Sequence, residues 1–87
     1  MKLFNEIKIS DNGFVFNSIT GDSFSLNPIG LELLRMIEKE KDFKEIKEAF
    51  LDKYEVDEFT FEKDYYEFCS LLQLYQFINR DNEPTFN

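Results

Sequence analysis

The chain contains no histidine, a single cysteine, two prolines and three glycines in 87 residues. Without histidine the commonest general base and metal ligand is missing. The lone thiol, Cys69, cannot close an internal disulfide, which suits a reducing compartment. Its neighbours Phe68, Ser70, Leu71 and Leu72 offer neither a base nor a positive charge, so a buried, inert thiol is expected rather than a nucleophile. The glycines do not build a phosphate loop, because Thr20-Gly21 has no lysine at the required offset. No apolar run approaches the ~20 residues that span a bilayer, and Met1-Lys2-Leu3-Phe4 lacks the longer apolar stretch of a signal peptide. A soluble, cytoplasmic protein is expected.

Positive charge is also scarce: 10 Lys and Arg stand against 18 Asp and Glu, for a net charge of −8. Nucleic-acid binders carry a basic stripe that replaces the counterions around phosphate, so no nucleic-acid partner is expected. A basic or neutral peptide would be attracted, less so as salt is added. Asp57, Glu58, Glu62 and Asp64 gather acid near the start of the last helix, without the spacing or glycine of a calcium loop. Carboxylates there favour a helix N-terminus. No cofactor, metal or catalysis is expected.

What the chain has in abundance is aromatic side chains, eleven Phe and four Tyr. At this length one small domain buries roughly 60 to 65% of its unfolded surface, so these rings must supply much of the core. Leu3 to Ile9 alternates from Asn5 onward and predicts a first strand with Ile7 and Ile9 on one face. Asp11-Asn12-Gly13 signals a tight turn, Phe14 to Ser18 a second strand, and Thr20-Gly21-Asp22 a second turn. Ser23-Phe24-Ser25-Leu26 alternates as a third strand, completing an antiparallel meander. Asn27-Pro28 then places a favoured cap before a proline at the first helical position.

The first helix is predicted from Pro28 to about Lys39, with Ile29, Leu33, Leu34, Met36 and Ile37 recurring at helical spacing. Gly30 inside it costs about 1 kcal/mol against Ala, which a close approach would justify. Asp42-Phe43-Lys44-Glu45 has the pattern of a capping box. The helix it opens turns Phe43, Ile46, Ala49, Phe50 and Tyr54 inward and leaves Lys44, Glu45, Lys47, Glu48 and Asp52 in water. A third helix starts between Glu58 and Phe61, with Thr60 as its cap, and runs to Tyr75 or Gln76. Residues 1–78 are read as one domain and Asn79 to Asn87 as a frayed tail. The fold class expected is α+β and winged-helix-like: a three-stranded antiparallel N-terminal sheet followed by three helices.

The run from Phe14 through Thr20-Gly21 to Leu26-Asn27-Pro28-Ile29-Gly30 resembles the hairpin-to-helix signature of the PqqD family, whose members are also called RiPP recognition elements. The likeness continues through Leu33, Met36, Ile37, Phe43, Ile46, Asp64, Phe68 and Leu72. Leu34 replaces the aromatic often found on the first helix, Lys39 the glycine that usually stops it, and Gln76 a glycine near the end of the last helix. The resemblance implies the winged-helix-like architecture and a third strand that accepts a leader peptide as an added strand.

The residues alone lead toward the same place. Phe61, Tyr65, Phe68, Cys69 and Leu72 form the core stripe of the third helix, and Leu71 and Tyr75 widen it beyond what one packed face requires. A deeper core would account for that. The strand Ser23 to Leu26, however, is short, uncharged and free of proline, and such an edge is a docking rail unless something covers it. By the resemblance, the peptide-binding set is Ser23, Phe24, Ser25 and Leu26 on the rail, with Asp64, Phe68, Leu71, Leu72 and Tyr75 on the groove wall. The function this implies is a non-enzymatic adaptor that captures the leader of a ribosomally synthesised precursor peptide and presents it to a modifying enzyme, often a radical S-adenosylmethionine enzyme. The alternatives are a winged-helix DNA-binding regulator and a generic protein–protein docking module. An open edge also permits a dimer as well as a monomer.

Overall fold

In the computed structural model, which describes residues 2–79, the turn at Asp11-Asn12-Gly13 sets the register of the strands after it. Gly13 takes φ +92°, and a Cβ there would stand 2.5 Å from the carbonyl oxygen of Leu26, so both the conformation and the space demand glycine. Two short strands precede this turn, β1 (Lys2–Leu3) and β2 (Ile7–Ile9). After it come β3 (Phe14–Asn17) and β4 (Ser23–Ser25), and the sheet order is β2-β3-β4, antiparallel throughout. Val15 and Asn17 face inward while Phe14 and Phe16 face outward, as period-two alternation requires.

The single first strand expected over Leu3–Ile9 is broken in two. The amide of Ile7 donates to Phe4 O (3.1 Å) in a turn that lifts β1 out of the sheet. There β1 pairs with β5 (Ile78–Asn79), placing Leu3 opposite Ile78 and Lys2 opposite Asn79. The cause lies at the far end of the chain, where Phe77 and Ile78 are buried and need cover. Asn79, expected to begin a tail, therefore ends a strand, and the remainder of that tail lies outside the described residues.

Helix α1 (Pro28–Glu38) starts where Asn27 Oδ1 accepts from the Gly30 amide (2.7 Å). Gly30 is tight as well as helical, since a Cβ would meet that same oxygen at 3.2 Å. The helix buries Leu33, Leu34 and Ile37, but Ile29 is 50% exposed rather than inward. Helix α2 (Phe43–Lys53) opens on the expected capping box, with Glu45 N donating to Asp42 Oδ1 and Asp42 N to Glu45 Oε1. Ile46 and Phe50 point inward, whereas Ala49 is exposed.

Helix α3 (Glu58–Leu74) is capped by Asp57 and not by Thr60. The Asp57 carboxylate accepts both the amide (2.8 Å) and the hydroxyl (2.9 Å) of Thr60, and these two bonds hold its pKa below the ordinary aspartate value. An aspartate three residues ahead makes the stronger cap, because it can take both donors at once. Helices α2 and α3 join through rings: Phe43 stacks on Tyr66 at 5.8 Å and Phe50 tilts on Phe61 at 5.5 Å. At the surface Lys47 bridges Glu58 and Glu62 at 2.9 and 2.8 Å. Cys69 is buried in the core, as its apolar neighbours suggest.

Candidate functional site

Hydrogen-bond parity decides what β4 presents to solvent. Leu26 N donates to Gly13 O (2.8 Å) and Asn17 N to Asp22 O (2.9 Å), so these two pairs are of the bonded kind. In an antiparallel ladder bonded and non-bonded pairs alternate. The register pairs Val15 with Phe24, Phe14 with Ser25 and Phe16 with Ser23. Phe24 therefore spends its N–H and C=O on β3, while Ser23 and Ser25 turn theirs outward. No strand lies on that side among the described residues, so two donors and two acceptors stand free along the edge.

Side chains follow the opposite rule. Ser23 and Ser25 are exposed on the outer face of the sheet, while Phe24 and Leu26 are half-buried against the core. The ring of Phe24 touches Tyr75, the cap of α3, which ends a flank of that helix where Asp64, Phe68 and Leu71 recur at helical spacing. At that end the Phe24 ring meets Tyr75 edge-on at 4.9 Å and tilts on Phe77 at 5.0 Å. That end is floored by the protein's own rings. Phe68 is half-buried, Leu71 is 42% exposed, and Leu72 is 1% exposed and lies in the core.

Nearer the start of α3, Asp64 borders a cavity of about 370 Å³ that Ile29, four residues past the end of β4, also lines. Its walls come from all three helices and the α2–α3 connection, with Leu33, Phe50, Val56 and Phe61 among them. Beside it Tyr54 donates to Glu32 Oε1 at 2.6 Å and Lys53 bridges the same carboxylate at 3.0 Å. The tyrosine hydroxyl first, and the lysine after it, keep the Glu32 carboxyl below the usual glutamate range, and Glu32 in turn raises the Tyr54 phenol. Of the expected site residues, Phe24 and Tyr75 are thus brought into ring contact, Leu26 and Phe68 both pack against the core, and Asp64 borders the cavity.

Two features of this region escape sequence reasoning. Phe77, beneath Phe24, reads locally as the residue just past a helix, because its role depends on the pairing of Ile78 with β1 across the whole chain. Asn17, 2% exposed, sends Nδ2 to Gln76 O (3.2 Å) while its Oδ1 accepts from the amides of Ile19 (2.9 Å) and Thr20 (3.3 Å). It ties the β3–β4 turn to the end of α3, and the Asn-x-x-Thr spacing ahead of Gly21 is its one local signal. Among the described residues no group of three or more His, Cys, Asp or Glu side chains could hold a metal ion. No described helix is long and apolar enough to cross a membrane.

A small α+β domain with one bare strand edge beside a helix flank is the class of protein these features define. The family model described as coenzyme PQQ synthesis protein D (PqqD) matches residues 13–78, and the chain belongs to the PqqD family. A solved structure described as TbiB1 in complex with the TbiA(beta) leader peptide has the same fold, with a TM-score of 0.85 over 98% of this chain and 100% of that one, at 24% identity. A comparison with curated proteins finds no match.

Proposed function

We propose that this chain is a non-catalytic, cytoplasmic adaptor that captures the leader of a ribosomally synthesised precursor peptide by β-strand addition and presents it to a modifying enzyme. The observation that carries this reading is the set of four outward backbone groups of Ser23 and Ser25, set beside a half-buried apolar trough. Main-chain bonds to such an edge give affinity that tolerates sequence, and side chains entering the trough give selectivity. The rail is Ser23, Phe24, Ser25 and Leu26; the wall is Asp64, Phe68, Leu71 and Tyr75, backed by Leu72. Membership in the PqqD family supports it, as does a structural relative whose description names a leader peptide. A radical S-adenosylmethionine enzyme is the modifying partner such a family suggests.

The duplex-binding alternative fits poorly, because α3 carries Glu58, Glu62, Asp64 and Glu67 against Lys63 and would face phosphate with the wrong charge. The deciding experiment is an amide NMR titration with the leader segment of the precursor peptide encoded beside the gene. The Ser23 and Ser25 amides are expected to shift downfield as they become bonded. If neither moves while the peptide binds elsewhere, strand addition is wrong.

A further inference from the structure

The trough has a polarity that β4 alone does not reveal. Phe24 is against Tyr75, just past the end of α3, whereas Ile29, further along the chain from β4, lines the same cavity as Asp64, about three turns earlier on that helix. From Tyr75 to Asp64 the helix rises about 16 Å at 1.5 Å per residue. An extended guest rises ~3.3 Å per residue, so about five of its residues cover that distance. Beside Tyr75 the space is filled by the protein's own rings, whereas Asp64 borders the cavity of about 370 Å³, within the size range of small-ligand sites.

The chemistry of that cavity is lopsided. Leu33, Val56 and Phe61 make its walls apolar, and the exposed carboxylates of Glu55 and Asp64 stand at its rim. Neither carboxylate has an ion-pair partner among the described residues, in contrast to nearby Glu32, which Lys53 neutralises. No basic side chain lines the cavity. An apolar hole with an unpaired acidic rim fits an apolar side chain joined to a cation.

We infer that this cavity is an anchor site for one large aliphatic or aromatic side chain of a bound peptide, with a lysine or arginine next to it in sequence held by Asp64 and Glu55. Resting on the adaptor reading, it sets a spacing as well: the anchor residue lies about three to five residues beyond the stretch that pairs with Ser23 and Ser25. The site would thus separate precursor peptides that the backbone rail by itself accepts equally.

A capped dipeptide tests the cavity without the rail, because it is too short to pair with β4. N-acetyl-Phe-Lys-amide titrated at millimolar concentration is expected to shift the amides of Ile29 and Val56 and leave Ser23 and Ser25 unmoved. N-acetyl-Ala-Lys-amide should bind at least about tenfold more weakly for want of the ring, and N-acetyl-Phe-Glu-amide about threefold or more for its wrong charge. Asp64→Asn, at an exposed position, should narrow the Lys-to-Glu difference, and Ile29→Trp should abolish dipeptide binding by closing the mouth. No shift at Ile29 and Val56, or equal shifts with the Ala probe, overturns the anchor site, and equal binding of the Lys and Glu probes overturns its basic preference. A leader that shifts Ser23 and Ser25 while the dipeptide binds nowhere sinks the anchor alone. Dipeptide binding with a leader that leaves β4 untouched sinks the adaptor reading instead.

Discussion

The three-stranded sheet has two edges, and they are finished differently. On β2, Ser18 N donates to Glu6 O (3.2 Å) and Ser10 N to Phe14 O (2.8 Å), so alternation turns the backbone of Lys8 inward and that of Ile7 and Ile9 outward. The outward amide of Ile7 is taken at once by Phe4 O, and the chain turns away into β1. A charged Lys8 sits between them on the exposed face. On β4 no such turn intervenes and no charge is present: among the described residues, nothing pairs with the four outward groups of Ser23 and Ser25. Native sheets blunt their edges, and among the described residues only the β2 edge is blunted. On the adaptor reading, the difference marks β4 as the edge kept for a partner.

That distinction depends on register, so the largest effect is expected where register is fixed. Gly13→Ala puts a Cβ 2.5 Å from the Leu26 carbonyl oxygen and forces a side chain onto φ +92°. It should destabilise the domain by about 2 kcal/mol or more in urea unfolding. Gly21 has φ +81° but nothing within 4 Å of a built Cβ, so Gly21→Ala should cost only about 1 kcal/mol. Equal losses at the two glycines would mean that contact with Leu26 does not hold the β3–β4 register.

A proline on each edge compares them directly. Ser25 turns its N–H away from β3 and its side chain is exposed, so Ser25→Pro breaks no ladder bond and empties no part of the core. It removes one donor for the guest strand and places a ring in its path, so leader affinity should fall by about tenfold or more in a calorimetric titration. Ile9→Pro deletes the matching outward amide of β2. It loses apolar packing and hence some stability, yet leader affinity of the folded protein should stay within about twofold. A comparable loss of affinity for Ile9→Pro would put the guest on the wrong edge.

How far the sequence foretells these edges depends on the range of the forces involved. The turn at Gly13, the Asn27-Pro28 helix start and the Asp42 capping box are legible because each is settled within four residues. The open edge of β4 is legible as an uncharged, proline-free run, but which of its amides face outward needs the register. The break between β1 and β2 is hidden, since it answers to Phe77 and Ile78 more than seventy residues away. The cavity is hidden too: Leu33 and Phe61 read as ordinary core positions and Val56 as part of a connection, and only three helices meeting unevenly leave a space among them. Of the candidate site residues, Leu72 is read two ways: helical spacing puts it in the core stripe, where it is 1% exposed, while the resemblance puts it on the groove wall.

The smallest expected effect lies behind the β4 edge, where α3 stops. Gln76 has φ +61°; Phe77 N donates to Leu72 O (2.7 Å) and Gln76 N to Gln73 O (3.0 Å), the two bonds of a Schellman stop with Gln76 at the position that favours glycine. Helix α1 ends in the same way, with Glu40 at φ +59°, Lys41 N bonded to Met36 O (3.1 Å) and Glu40 N to Ile37 O (2.9 Å). The left-handed turn at Gln76 is therefore imposed by the two residues after it. Phe77 must swing beneath Phe24, and Ile78 must reach Leu3. Left-handed backbone costs an L-residue about 1 to 2 kcal/mol, and the extra freedom of unfolded glycine offsets roughly half of that. Gln76→Gly should accordingly stabilise the domain by about 0.5 to 1 kcal/mol in urea unfolding. Because the gain arises on the covered side of the sheet, leader affinity should not change. A stabilised variant that binds more tightly would show instead that the β1–β5 strap and the β4 edge are coupled, with Phe24 over Phe77 as the point of contact.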